Sequence, residues 1–283
     1  MPVNLAVDAD GVAHLTLARP RKRNALDRAM LESLRDRIQE IGNRPDVRVV
    51  VLAGEGGTFC AGADIADWVA PPHNVAAELS RLGQDAFTAL AALPAVSIAI
   101  IEGTAIGGGL ELALACDLRI AAEDAVLGLP ELGLGNLPSW GGTARMIDVA
   151  GLGVTRHLLL SSQLITGTRA AELMLVTSAH PAEKLQAAGD ATIARLLNAE
   201  PLAVGLAKRV LSNFETKMTL EAALAAYTAG LDSSRQRKQA FLDRKAAKKT
   251  PTAATGSRSA AQPSPFDQPP ARLGEQLHEG TAS

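Results

Sequence analysis

Apolar residues 5–7 and the largely alternating stretch 12–17 flank the turn-forming cluster Asp8-Ala9-Asp10-Gly11 and predict a β-hairpin. Asp8-x-Asp10-Gly11 has the start of a calcium loop, but Arg19 stands where that loop would need a bidentate glutamate, which leaves the plain turn. After the basic stretch Arg19-Pro20-Arg21-Lys22-Arg23, the spacing of Leu31, Leu34, Ile38 and Ile41 gives one buried helical stripe. Asp27 can cap that helix and Gly42 can close it. Residues 47–53 form a β-branched run, fully apolar from Val49, and predict a strand buried on both faces. A helix over residues 75–93 is stopped by Pro94, strands follow over 96–102 and 118–121, and an apolar helix over 110–116 lies between them. This alternation predicts an α/β architecture. Beyond Gly141 the pattern reads as nearly all helix, with short apolar pieces at 146–149 and 154–160 and longer segments at 182–197, 201–211 and 220–248. Residues 250–283 are rich in Pro, Ala, Ser, Gly and Gln without periodicity and predict a disordered tail.

Composition narrows the function classes. A net charge of −2 over 283 residues argues against nucleic acid as the main partner. Aromatic residues make up only 3%, too few for base-stacking platforms. Two cysteines, Cys60 and Cys116, cannot build a disulfide framework and suit a reducing cytoplasm. No secretory signal is read at the start, and the longest apolar runs, such as 96–101, are too short for membrane insertion. The expectation is a soluble cytoplasmic protein. No His-Glu-x-x-His or paired-cysteine spacing occurs, so metal catalysis is not expected. A serine hydrolase is disfavoured by the lack of any Gly-x-Ser-x-Gly elbow.

Two stretches carry candidate chemistry. A strand runs through Gly54-Glu55-Gly56-Gly57 into Phe59-Cys60-Ala61-Gly62-Ala63-Asp64, with Asp64 and Asp67 placed to favour a helix start. A second strand runs through 103–106 into Gly107-Gly108-Gly109-Leu110-Glu111. Each leaves bare backbone where a helix begins, so the N–H groups of Ala63 and Gly108 can both face one carbonyl oxygen. Gly108 and Glu111 are three apart and share a helix face. Glycine-rich strand–helix turns are often mere packing devices, and a lone glutamate is usually solvated. Yet Glu111 sits inside Leu110-Glu-Leu-Ala-Leu-Ala, and Glu131 inside a similarly apolar stretch, where a carboxylate is costly unless paired or functional.

The chain resembles the enoyl-CoA hydratase/isomerase (crotonase) family over residues 5–249. The resemblance rests on Arg19-Pro20…Asn24-Ala25-Leu26, on both glycine-bearing stretches through Cys116-Asp117, and on Leu129-Pro130-Glu131…Pro138-x-x-Gly141-Gly142-Thr143-x-Arg145. It implies a spiral of ββα units over residues 1–195, a helical trimerisation region over 196–249, and a chain assembled as a trimer or dimer of trimers. It implies an acyl-CoA thioester as substrate and no cofactor beyond the coenzyme A of that substrate. Ala63 and Gly108 become the oxyanion-hole donors, and Glu111 and Glu131 the acid–base pair. Having both glutamates, 20 apart, favours hydration of a 2-enoyl-CoA over double-bond isomerisation, another crotonase-type reaction, or non-catalytic acyl-CoA binding. The resemblance further implies substrate contacts from Ala61, Asp64, Ile65, Gly107 and Trp140, and places Arg21, Lys22 and Arg23 near the coenzyme's phosphates. The basic tract holding Arg235, Arg237, Lys238, Arg244, Lys245, Lys248 and Lys249 reads as a solvated helix end rather than a nucleic-acid patch, with a coenzyme A contact from a neighbouring subunit as the lesser alternative. Three features depart from the family pattern: Ser139-Trp140 in place of small residues, Met174 in place of glycine, and no acidic-Gly pair before Phe241. Trp140 either shortens the acyl pocket or packs outward.

Overall fold

The structure is a computed structural model that describes residues 1–69, 72–199, 204–205, 208 and 230–247. The expected tail, most of the helix expected over 201–211, and residues 220–229 and 248 of the helix expected over 220–248 lie outside the described residues. The hairpin forms as predicted, with β1 (Val3–Val7) antiparallel to β2 (Val12–Leu17). Its turn is held by the Asp8 carboxylate, which accepts from the N–H groups of Asp10 and Val12 at 3.0 and 2.9 Å. Helix α1 (Arg28–Gly42) starts at Asp27, whose side chain accepts from Met30 N at 2.8 Å, and buries the predicted stripe together with Met30.

β3 (Val49–Gly54), β4 (Val96–Ile101), β6 (Leu118–Ala122) and β9 (Ser178–His180) extend β2 into one six-stranded sheet, parallel beyond the hairpin. Val49 to Leu52 are all buried, as a parallel strand covered on both faces requires. Helix α2 (His73–Ala92) follows β3, and α3 (Gly108–Leu114) follows the first strand of a second sheet. That sheet stacks β5 (Thr104–Ile106), β7 (Val126–Gly128) and β8 (Ile165–Thr166).

The two sheets are wound together by repetition. β4 runs into β5 and then α3; β6 runs into β7 and then α4 (Gly142–Ser161). In the preceding turn β3 runs to Cys60, which makes a single parallel bridge to Ala105 where the others place a strand. Cys60, β5 and β7 thus lie side by side. The chain leaves each of them into a loop: 61–64, 107–108 and 129–131. The three loops that carry the candidate chemistry therefore emerge together at the carboxyl ends of neighbouring parallel elements, the usual place for a ligand in such sheets.

The helical reading beyond Gly141 needs correction. The 146–149 and 154–160 pieces do fall on two separate helical segments of α4, divided at the non-helical Gly151 (φ 79°, ψ 162°). Two short strands, β8 and β9, interrupt the helices. α5 (Gly167–Glu172) and α6 (Ala182–Leu197) follow them in turn. Met174 is left-handed at φ 58°, a conformation that favours the glycine it replaces. A final helix, α7 (Asp232–Ala247), packs against the 3-10 turns Ile65–Trp68 and Glu131–Leu134.

Candidate active site

The loop after Cys60 and the loop after β5 are joined edge to edge. Cys60 N donates to Thr104 O at 2.8 Å, and Ile106 N donates to Cys60 O at 3.2 Å. A Cβ built on Gly62 would stand 2.6 Å from Ile106 O and 3.5 Å from Gly108 N, so Gly62 has room for no side chain and packs directly on the second loop. Its neighbour Ala63 and Gly108 each carry an N–H that meets no acceptor among the described residues. Gly107 N donates to Gly128 O at 2.9 Å, which ties on the third loop. Gly107 is held at φ 56°, and a Cβ there would lie 3.0 Å from Glu131 Oε1. Only glycine meets both demands.

Glu111 is 2% exposed. Its Oε1 accepts from Trp140 N at 2.8 Å and Gly142 N at 2.9 Å. Burial pushes its carboxyl above the ordinary range, while these two N–H groups and the Arg145 charge pull the other way. Arg145 is itself buried and donates to Trp140 O at 2.7 Å, so it fixes the segment that holds the carboxylate. Glu131 opens the 3-10 turn after β7 and is half-buried.

Both acids face one cavity of about 480 Å³. Arg23, Ala61, Ala63, Ile65, Gly107 and Trp140 also line it, as the sequence reading has them around the substrate. Three more residues of that reading, two of them assigned to the coenzyme's phosphates, stand outside the cavity's lining. Asp64 caps the turn Ile65–Trp68 and pairs with Arg19 at 3.3 Å, while Arg21 and Lys22 occupy the exposed turn Pro20–Lys22. None of the three lines the cavity.

Trp140 packs inward. It is 1% exposed and wedged between two glycines: a Cβ on Gly83 would come within 2.2 Å of its ring, and one on Gly108 within 2.1 Å. Its Nε1 donates to Leu79 O at 3.2 Å, and Phe87 and Trp68 meet it edge-on at 5.6 and 6.3 Å.

Two contributions escape the sequence reading. Asn24 is fully buried, accepts from Arg19 N at 2.9 Å, and donates to Glu55 O at 2.9 Å and Thr58 O at 2.6 Å. It clamps the basic loop to the first oxyanion loop; its place in Arg19-Pro20…Asn24-Ala25-Leu26 was the available signal, and its φ of 55° is a conformation that asparagine tolerates. Lys238, read as part of a solvated helix end, is instead 2% exposed and lines the cavity with Phe241. The burial of α7 on the two 3-10 turns is a long-range fact that no local pattern carries.

The family model of enoyl-CoA hydratase/isomerase matches residues 8–249. The chain is 33% identical over 242 residues to the crotonyl-CoA hydratase of Syntrophomonas wolfei, covering 83% of this chain and 93% of that one. It is 34% identical over 211 residues to the short-chain-enoyl-CoA hydratase of Clostridium acetobutylicum, covering 74% and 81%. Among solved structures, an enoyl-CoA hydratase from Bacillus anthracis superposes with a TM-score of 0.72 at 32% identity, over 86% of this chain and 97% of that one. The chain therefore belongs to the enoyl-CoA hydratase/isomerase family and has the crotonase fold. It is a crotonase-family enzyme of acyl-CoA metabolism. Among the described residues, no helix is long and apolar enough to cross a membrane.

Proposed function

We propose that this chain is an enoyl-CoA hydratase, adding water across the 2,3 double bond of a 2-enoyl-CoA to give the 3-hydroxyacyl-CoA. The observation that carries the reading is the pair of glutamates, from separate turns of the spiral, lining one cavity together with Ala63 and Gly107. Glu111 takes a proton from water as the water oxygen bonds to C3. The π electrons move toward the thioester oxygen, where the N–H groups of Ala63 and Gly108 stabilise the developing charge. Glu131 delivers a proton to C2 and the carbonyl re-forms, so the net addition is one water. Losing one oxyanion donor of this kind typically costs ~10²–10³ in rate. A carboxyl whose ionisation is pushed upward by burial is better matched to proton transfer near neutral pH than an exposed one. The same reading takes the coenzyme A of the substrate as the only cofactor moiety, and a homotrimer or dimer of trimers in the cytoplasm as the working form.

The test is loss of conjugated-thioester absorbance on adding crotonyl-CoA. Glu111→Ala and Glu131→Ala should each lower kcat by ~10²–10⁴-fold while acyl-CoA binding survives. A Glu111→Ala variant that still shifts the double bond of a 3-enoyl-CoA would make the enzyme an isomerase. Binding without turnover across a thioester panel would make it an acyl-CoA carrier.

A further inference from the structure

Lysine is almost never fully buried unless paired. Lys238 breaks that rule: it is 2% exposed, and its Nζ has no hydrogen-bond partner among the described residues. Arg235, another cation, is the charged group that acts on it, and burial together with that neighbour pushes its pKa down to about 8. At neutral pH it is still mostly an ammonium. Its contact with the Trp68 face, 6.0 Å from the ring centroid, replaces only part of the hydration it has lost.

The position of that charge is specific. Trp68 touches Trp140, and the Trp140 main chain holds Glu111. The wall of the cavity therefore runs from the carboxylate, across two indoles, to Lys238. Arg23, the other cation on the cavity, is exposed and belongs to the basic loop. An exposed arginine suits phosphates that stay in water. An enclosed ammonium among aromatic walls suits a single anion delivered on the substrate itself.

We propose that the acyl group carries a carboxylate that pairs with Lys238, so that the preferred substrates are coenzyme A monothioesters of unsaturated dicarboxylic acids. This rests on the reading of the site as an acyl-CoA hydratase. A purely aliphatic acyl chain would bring methylenes to an ammonium whose Nζ has no hydrogen-bond partner among the described residues.

The test compares glutaryl-CoA with pentanoyl-CoA, which have the same number of acyl carbons and differ in the carboxylate, with free coenzyme A as control. Binding is measured by calorimetry on the full chain. Wild type should bind glutaryl-CoA ~10- to 100-fold more tightly than pentanoyl-CoA. Lys238→Met should erase that preference, bind pentanoyl-CoA at least as well as wild type, and melt no lower, since it removes an uncompensated buried charge. Equal affinity of wild type for the two thioesters overturns the proposal. So does an equal loss of glutaryl-CoA, pentanoyl-CoA and free coenzyme A affinity in Lys238→Met, which would assign Lys238 to a coenzyme phosphate. Turnover of crotonyl-CoA and of glutaconyl-CoA, an unsaturated dicarboxylic monothioester, is read alongside. A carboxylate preference without hydration sinks the hydratase reading alone, and hydration without the preference sinks this one alone.

Discussion

Glu111 is held in a balance that its own stability should report. Its folded-state carboxyl titrates above the ordinary value of 4.5, so the native protein grips that proton more tightly than the unfolded chain. The associated stability is complete below 4.5 and is lost as pH rises through the raised value. Glu111→Gln keeps an oxygen for the Trp140 and Gly142 N–H groups but cannot ionise. Its melting temperature relative to wild type should therefore rise as pH increases above 4.5 in matched thermal scans. A constant difference would show that Glu111 does not titrate as its burial demands. The residue was legible in the sequence because a glutamate three positions after a helix-opening glycine, inside an apolar run, has few innocent explanations. Its partners were not legible, since the Trp140 and Gly142 amides come from 29 and 31 positions away.

At the level of elements, α2 is coupled to the site through a missing side chain. Gly83 sits in the helix interior, where alanine would ordinarily be favoured by ~1 kcal/mol. Here a Cβ would stand 2.2 Å from Trp140 Cδ1 and 2.3 Å from its Nε1, and would displace the indole that donates to Leu79 O. Gly83→Ala should destabilise by ~1–3 kcal/mol, as overpacked cores do, and should also lower kcat, because the Trp140 amide moves with its ring. Chemical denaturation and turnover measured on one preparation check both. The longer elements were readable from period alone: the Asp27-capped helix and the β3 and β4 runs lie where the apolar spacing puts them. β5, β7, β8 and β9 were missed because two or three residues hold no period. They exist through pairing, such as Ala105 with Leu127 and Ile120 with Ser178, which no local window contains.

Across the whole molecule, the site draws on three successive turns of the spiral and is finished by α7, which supplies Lys238 and Phe241. Cavity-lining residues among those described end at Phe241. Ending the chain after residue 249 should therefore leave crotonyl-CoA turnover unchanged, whereas ending it after residue 229 should abolish it by opening the cavity to water. Steady-state kinetics on the two shortened chains separates these outcomes, and a loss of activity in the longer one would give residues 250–283 a role in catalysis.

The chain contains two tryptophans, Trp68 and Trp140, and both line the cavity. Indole emission from this protein thus has no background from elsewhere in the molecule. A thioester entering between the two rings, or a carboxylate drawing the lysine off the face of one, will change its colour or intensity. The enzyme carries its own optical gauge of occupancy, ready for use without a label.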